Sequence, residues 1–187
     1  MKFLIAATLA AVAVLSGCAH APAPPVNYSV PNVGMSKTRL NAELKSINVS
    51  YASQAEATGS IPATAVRTPE LWKAALDGAL NDMLIFRDDA NRKVSLVVKI
   101  TEFKPADSGV DMVSTATARY DLVDRGNGDI IYSQNVSSTG TVKFGENVNG
   151  LARIIEATNR AVRSNISTFL QALETVDLAK PMFPVKK

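Results

Sequence analysis

The 187 residues contain one histidine and one cysteine, the two side chains most used for metal binding and nucleophilic catalysis. They are His20 and Cys18, two positions apart in a proline-bearing segment. A Ser-His-Asp or Cys-His arrangement needs a histidine held rigidly against its partners, and a zinc site needs several such ligands. Neither can be built in the rest of the chain, and no cofactor is implied. With no second cysteine, no disulfide forms within the chain, so burial alone must hold the fold, as a chain of this length allows. A long hydrophobic run is also missing. The run over residues 3–15 falls short of the roughly 20 residues that a transmembrane helix needs. Nor does charge of one sign dominate: 20 Lys and Arg against 17 Asp and Glu leave +3. So small and dispersed an excess argues against nucleic acid as a partner.

What is present begins with the first 18 residues. Lys2 precedes the apolar run, the order of a positive n-region and an h-region in a signal peptide. The run ends in Leu15-Ser16-Gly17-Cys18, which resembles the lipobox of bacterial lipoproteins. That resemblance implies removal of residues 1–17 and attachment of acyl chains, palmitate among them, to Cys18. Two or more chains hold a protein stably at a bilayer where one does not. Ala19 follows the cysteine. In Gram-negative sorting an aspartate there retains a lipoprotein in the inner membrane, so Ala19 implies the outer membrane, on its periplasmic face.

Residues 18–37, with Pro22, Pro24, Pro25 and Pro31, read as a lipidated cysteine and a tether that lifts the domain off the bilayer. Residues 38–178 form one domain, and residues 179–187, with Pro181 and Pro184, a tail. Within the domain, residues 46–51 alternate as a strand, with Ile47, Val49 and Tyr51 on one side. Thr68-Pro69-Glu70 opens a helix, Thr68 as N-cap and Pro69 at N1. Its apolar stripe is Leu71, Trp72, Ala75, Leu76, Ala79, Leu80, Met83 and Leu84. Strands follow at residues 94–103, 114–123 and 130–142, the last two joined by Asp124-Arg125-Gly126-Asn127-Gly128-Asp129 as a hairpin turn. A long helix covers residues 149–174. Leu151, Ile154, Ile155, Thr158, Val162, Ile166, Phe169, Leu170 and Leu173 face inward, and Arg153, Glu156, Arg160 and Arg163 outward. The order β-α-β-β-β-α predicts an α+β fold. It is a two-layer sandwich, a four-stranded, mostly antiparallel sheet with both helices on one face.

The remaining candidate chemistry is thin. The 124–129 segment lacks the ligand positions of a calcium loop. Asp88 and Asp89 beside Arg87 and Arg92 read as a solvated connection. Glu102, Asp107 and Asp111 could gather near one loop, and Ser95 and Lys99 share a strand. Asn48-Val-Ser50, Asn135-Val-Ser137 and Asn165-Ile-Ser167 match the N-glycosylation pattern by accident in a bacterial protein.

The lipobox, the tether, the hairpin from Tyr120 to Tyr132 and the helix segment Ala157-Thr-Asn-Arg-Ala-Val-Arg163 together resemble small outer-membrane lipoproteins of Gram-negative bacteria. LptE-type assembly lipoproteins and the auxiliary lipoproteins of ABC-type lipid transporters are similar. The resemblance implies a non-enzymatic adaptor or assembly factor in envelope biogenesis or transport, with an envelope protein complex as partner. It would dock through a sheet edge or the loops at residues 105–111 and 124–129. The alternative is a lipid- or glycan-binding carrier with an apolar cavity near Trp72, Tyr120 and Phe169. An envelope acyl-group enzyme using Ser95 or Lys99 is a third reading. Cys18→Ala should abolish radioactive palmitate labelling of the expressed chain; labelling at the wild-type level would refute the lipobox.

Overall fold

A computed structural model of the chain describes residues 24–178. The segment expected to be a signal peptide, with Cys18, Ala19 and His20, at one end and residues 179–187 at the other lie outside them. Strands β1 (Glu43–Tyr51), β2 (Lys93–Lys104), β3 (Met112–Asp124) and β4 (Ile130–Val142) form one sheet in the order β1-β2-β3-β4. Helix α1 (Thr68–Met83) connects β1 to β2, which pair in parallel, and the β2–β3 and β3–β4 pairs are antiparallel. Helix α2 (Gly150–Leu173) is the last helix or strand among the described residues. The α+β two-layer arrangement is the expected one. A parallel neighbour needs a crossover helix, and meandering strands need only turns.

Alternation fixes which face carries the core. Val94, Leu96, Val98 and Ile100 of β2 are fully buried, as are Ala116, Ala118, Tyr120 and Leu122 of β3. In β2 the parity changes after Ile100, so that Phe103 is buried on that face as well. A β-bulge at Thr101 reconciles the two sets, since one extra residue flips every later side chain. Both helices pack on this face. Trp72 of α1 donates to the Tyr120 hydroxyl (3.2 Å), and Tyr120 donates to Asn165 Oδ1 of α2 (2.8 Å).

Helix α2 lies unusually close to β3 and β4. The Asn165 amide nitrogen donates to Ala116 O (3.0 Å) and Val136 O (2.9 Å), and Ser138 Oγ donates to Ala161 O (2.9 Å). Gly140 permits this approach. A Cβ there would stand 2.1 Å from Ala157 O and 2.4 Å from Ala161 N, both immovable helix backbone. The buried side of α2 is accordingly small and polar as well as apolar: Ala157, Thr158, Asn159, Ala161 and Asn165 sit beside Val162, Ile166, Phe169 and Leu173.

Several expectations change in detail. Arg153 is buried (5% exposed) and Leu151 is 60% exposed, the reverse of the expected stripe at that end. The first turn of α2 projects beyond the sheet, where the Arg153 guanidinium donates to Val110 O and lies 4.9 Å from the Phe144 ring. Thr68 is not an N-cap. It is already helical and buried, Arg67 precedes it, and no side chain caps that end. The expected standing-off of the tether is also not seen among described residues. Asn27 N donates to Asn159 Oδ1 (3.0 Å), and Tyr28 is buried edge-on against Trp72. Asn149 does cap α2, accepting from Ala152 N (3.2 Å).

Gly140→Ala should destabilise the protein by about 3 kcal/mol, because the new methyl group must displace helix backbone. Gly78→Ala, in open space on α1, should instead stabilise by up to about 1 kcal/mol through helix propensity. Urea denaturation midpoints check both; equal midpoints for the two variants would contradict the close approach.

Candidate interaction surface

The sheet face opposite the helices carries side chains of a different kind. Ser46, Asn48 and Ser50 stand on β1, with Ser95, Val97, Lys99 and Glu102 beside them on β2. Thr115, Thr117, Arg119 and Asp121 follow on β3, with Ser133, Asn135, Ser137, Thr139 and Thr141 on β4. All but Asp121 are partly or fully exposed, because no helix lies over them. The alternation that builds the core therefore builds this polar surface on the intervening positions.

Cross-strand bonds tie the surface together. Ser46 Oγ donates to Ser95 Oγ (2.9 Å), and Thr117 Oγ1 donates to Glu102 Oε2 (3.2 Å) and Ser137 Oγ (3.1 Å). Asp121 is 4% exposed because its carboxylate is enclosed by partners: Arg119 Nε at 3.0 Å and Ser133 Oγ at 2.5 Å. Glu56, from the segment after β1, approaches Arg119 from the other side (3.6 Å). Its carboxyl is held below the usual range, first by hydrogen bonds from Ser53 and then by the charges of Lys99 and Arg119. Hydroxyls and amides at two-residue spacing offer donors and acceptors to a contacting chain. A nucleophile with its base is a different requirement. Ser95 and Lys99 are four residues apart on β2, about 13 Å along the strand, so they do not form a dyad.

At the hairpin end of the sheet a groove of about 690 Å³ is lined by Lys45, Arg92, Lys93, Asp124 and Arg125 among others. Arg92 pairs with Asp124 (3.1 Å), and Arg125 reaches Ser95 Oγ (3.3 Å). Lys45 and Lys93 both pair with Glu43, whose carboxyl is held below the ordinary value, chiefly by the Lys45 bond and next by Lys93. The cations outnumber the carboxylates, so the groove favours anionic groups. Sequence reasoning missed Glu43 and Lys45, because it began β1 at residue 46, after the irregularity between Leu44 and Ser46.

The other expected site residues are dispersed. The 124–129 segment is the hairpin turn expected: Gly126 N and Asp129 N donate to the side chains of Asp124 (2.8 Å) and Asn127 (3.0 Å), and Gly128 has φ of 78°. Glu102 faces Thr117, Asp107 accepts from Ser108 N (2.7 Å), and Asp111 accepts from Phe144 N (3.0 Å). Asp89 pairs with Arg87 (3.2 Å). Arg160 lies between Glu146 (2.8 Å) and Glu156 (3.0 Å). Among the described residues no group of three His, Cys, Asp or Glu could hold a metal ion, and no helix is long and apolar enough to cross a membrane. The apolar cavity expected near Trp72, Tyr120 and Phe169 is not there. Each of the three is fully buried, and the Tyr120 and Phe169 rings stack at 4.1 Å, so they fill that space themselves.

No family model matches the sequence, and neither does any curated protein. Solved structures do match. A Xanthomonas campestris protein of family DUF330 is similar with a TM-score of 0.53 at 12% identity, over 80% of this chain and 91% of that one. A PelC dodecamer from Paraburkholderia phytofirmans is similar at a TM-score of 0.41 and 15% identity, over 76% of this chain and 95% of that one. A minor lipoprotein from Acinetobacter baumannii scores 0.39 at 10% identity, over 73% and 92%. The first likeness is one of fold, shared between the two-layer α+β sandwich of this chain and the DUF330 protein. The other two add nothing to it.

Glu43 also gives the surface a pH dependence. A carboxylate whose folded value is depressed adds stability that is present above its ordinary value of 4.5 and lost as pH falls through the folded value. Glu43→Gln should therefore lower the urea midpoint at pH 7, and the gap from wild type should close on acidification below the ordinary glutamate range. A gap as wide at pH 3 as at pH 7 would contradict the assignment.

Proposed function

We propose that this chain is a lipid-anchored lipoprotein of the Gram-negative envelope, acting at the periplasmic face of the outer membrane. There it serves as a non-enzymatic adaptor or assembly factor for a protein complex of envelope biogenesis or transport. The observation that carries the docking role is the open sheet face. It crosses all four strands, opposite a face committed to two helices, and bears hydroxyls, amides and ion pairs. A surface of that kind suits hydrogen-bonded contact with another protein rather than enclosure of a small ligand. The edge strands β1 and β4 add backbone groups through which a partner strand could extend the sheet. The anchoring role rests on Leu15-Ser16-Gly17-Cys18 and the apolar run before it.

The reading is tested by a photo-crosslinking residue at Thr139 on the open face of β4, in the full chain expressed in its native host. A control replaces Lys73, exposed on α1. One envelope protein should be recovered repeatedly from position 139 and at least fivefold less from position 73. Equal recovery from the two positions, or no protein adduct from either, would refute docking through this face.

A further inference from the structure

At the sheet end opposite the hairpin, the loops at residues 105–111 and 143–149 and the first turn of α2 come together. Phe144 N is bonded to Asp111, and Arg153 holds Val110 O while lying against the Phe144 ring. Five large apolar side chains at this end are exposed: Val110 (75%), Val113 (49%), Phe144 (55%), Val148 (86%) and Leu151 (60%). They do not join the core beneath, made of Ala106, Met112, Val142 and Ala157. Lys104 and Lys143 flank them, both exposed. Glu146 at this end is paired with Arg160, while Asp107 and Asp111 accept from the backbone N–H groups of Ser108 and Phe144 and keep their charge. So many exposed apolar side chains at one end mark a contact surface, and the charges around them, Lys104 and Lys143 against Asp107 and Asp111, balance.

The path of the chain selects the occupant. Thr38 is bonded to Glu174 O, beyond the C-terminal end of α2, whereas Asn27 and Pro25 are bonded to Asn159. Followed toward its beginning, the described chain thus travels along α2 toward the apolar end. Asn159 lies only about 14 Å along the helix axis from Gly150. Pro25 lies seven positions beyond Cys18, a stretch that spans at most about 25 Å. A lipid on Cys18 therefore keeps the domain within reach of the bilayer.

We infer that the apolar end, with Phe144, Val148 and Leu151 at its tip, inserts into the headgroup region of the membrane. The hairpin and its basic groove then face away from the bilayer. The inference rests on the lipoprotein reading for its orientation, but the contact itself is read separately.

The test uses the full chain in phosphatidylethanolamine–phosphatidylglycerol vesicles, with a fluorophore on Val148→Cys, the only free thiol once Cys18 is acylated. A second sample is labelled at Lys73→Cys. Doxyl-labelled lipid should quench the Val148 probe at least threefold more than the Lys73 probe. Equal quenching overturns the inference, as does a Val148 probe shielded from aqueous iodide but untouched by the lipid quencher, which means a protein covers it. Mass spectrometry of the same samples reports acylation of Cys18. An acylated chain without quenching at Val148 sinks this inference alone; an unmodified Cys18 sinks the lipoprotein reading and, with it, the orientation that this inference takes from it.

Discussion

The Asn165 side chain is the point on which the architecture turns. From the middle of α2 it bonds the carbonyls of Ala116 on β3 and Val136 on β4, and it accepts from Tyr120, which in turn accepts from Trp72 of α1. One fully buried amide thereby ties two strands and both helices into a single set of bonds. Buried polar groups are costly unless satisfied, so alternative packings that separate these partners are penalised by more than lost contact area. Gly140 lets the helix backbone descend far enough for the amide to reach. With both helices held on this side, the other face of the sheet stays open.

That arrangement divides the protein chemically. The helix-covered face is closed, with an apolar core centred on stacked Tyr120 and Phe169 around the buried Asn165 bonds. The open face is hydroxyl-rich, its one buried carboxylate neutralised by Arg119 and bonded by Ser133. The sheet ends differ again, one ringed by cations around Glu43 and Asp124 and the other tipped by Phe144, Val148 and Leu151. An anchored adaptor needs a surface for the membrane and another for its partner. On the proposed reading, the apolar end would serve the first and the open face the second, without a moving part.

Much of this was legible in the sequence, because two-residue and 3.6-residue periodicities report burial directly. Val94 to Ile100, Ala116 to Leu122 and the α1 stripe as far as Met83 needed nothing more, whereas Leu84, read into that stripe, is the left-handed C-cap of the helix and 46% exposed. The hairpin turn was also readable, since its glycines and carboxamides have local geometric roles. The misreadings arose where distant partners decide the outcome. Arg153 looks solvated until Val110 and Phe144 are placed around it, and Leu151 looks buried until the sheet is seen to end first. Asn159 and Asn165 carry no apolar signal, yet both are buried because strand carbonyls and residues 25–27 arrive to bond them. The same holds for Tyr28, whose burial depends on Trp72. The open face was implied by alternation, but its bond network, with Asp121 at its centre, required the register.

The central claim, that the open sheet face is the occupied surface in the living envelope, is tested most directly by thiol reactivity at two positions. Asn135→Cys on β4 and Asp77→Cys on α1 are both solvent-facing in the free domain. Reaction with a small water-soluble maleimide is timed in intact cells and again on the detergent-purified full chain. The account predicts that position 135 reacts at least tenfold more slowly in cells than when purified, while position 77 reacts at the same rate in both. Equal rates at position 135, or protection confined to position 77, would contradict it.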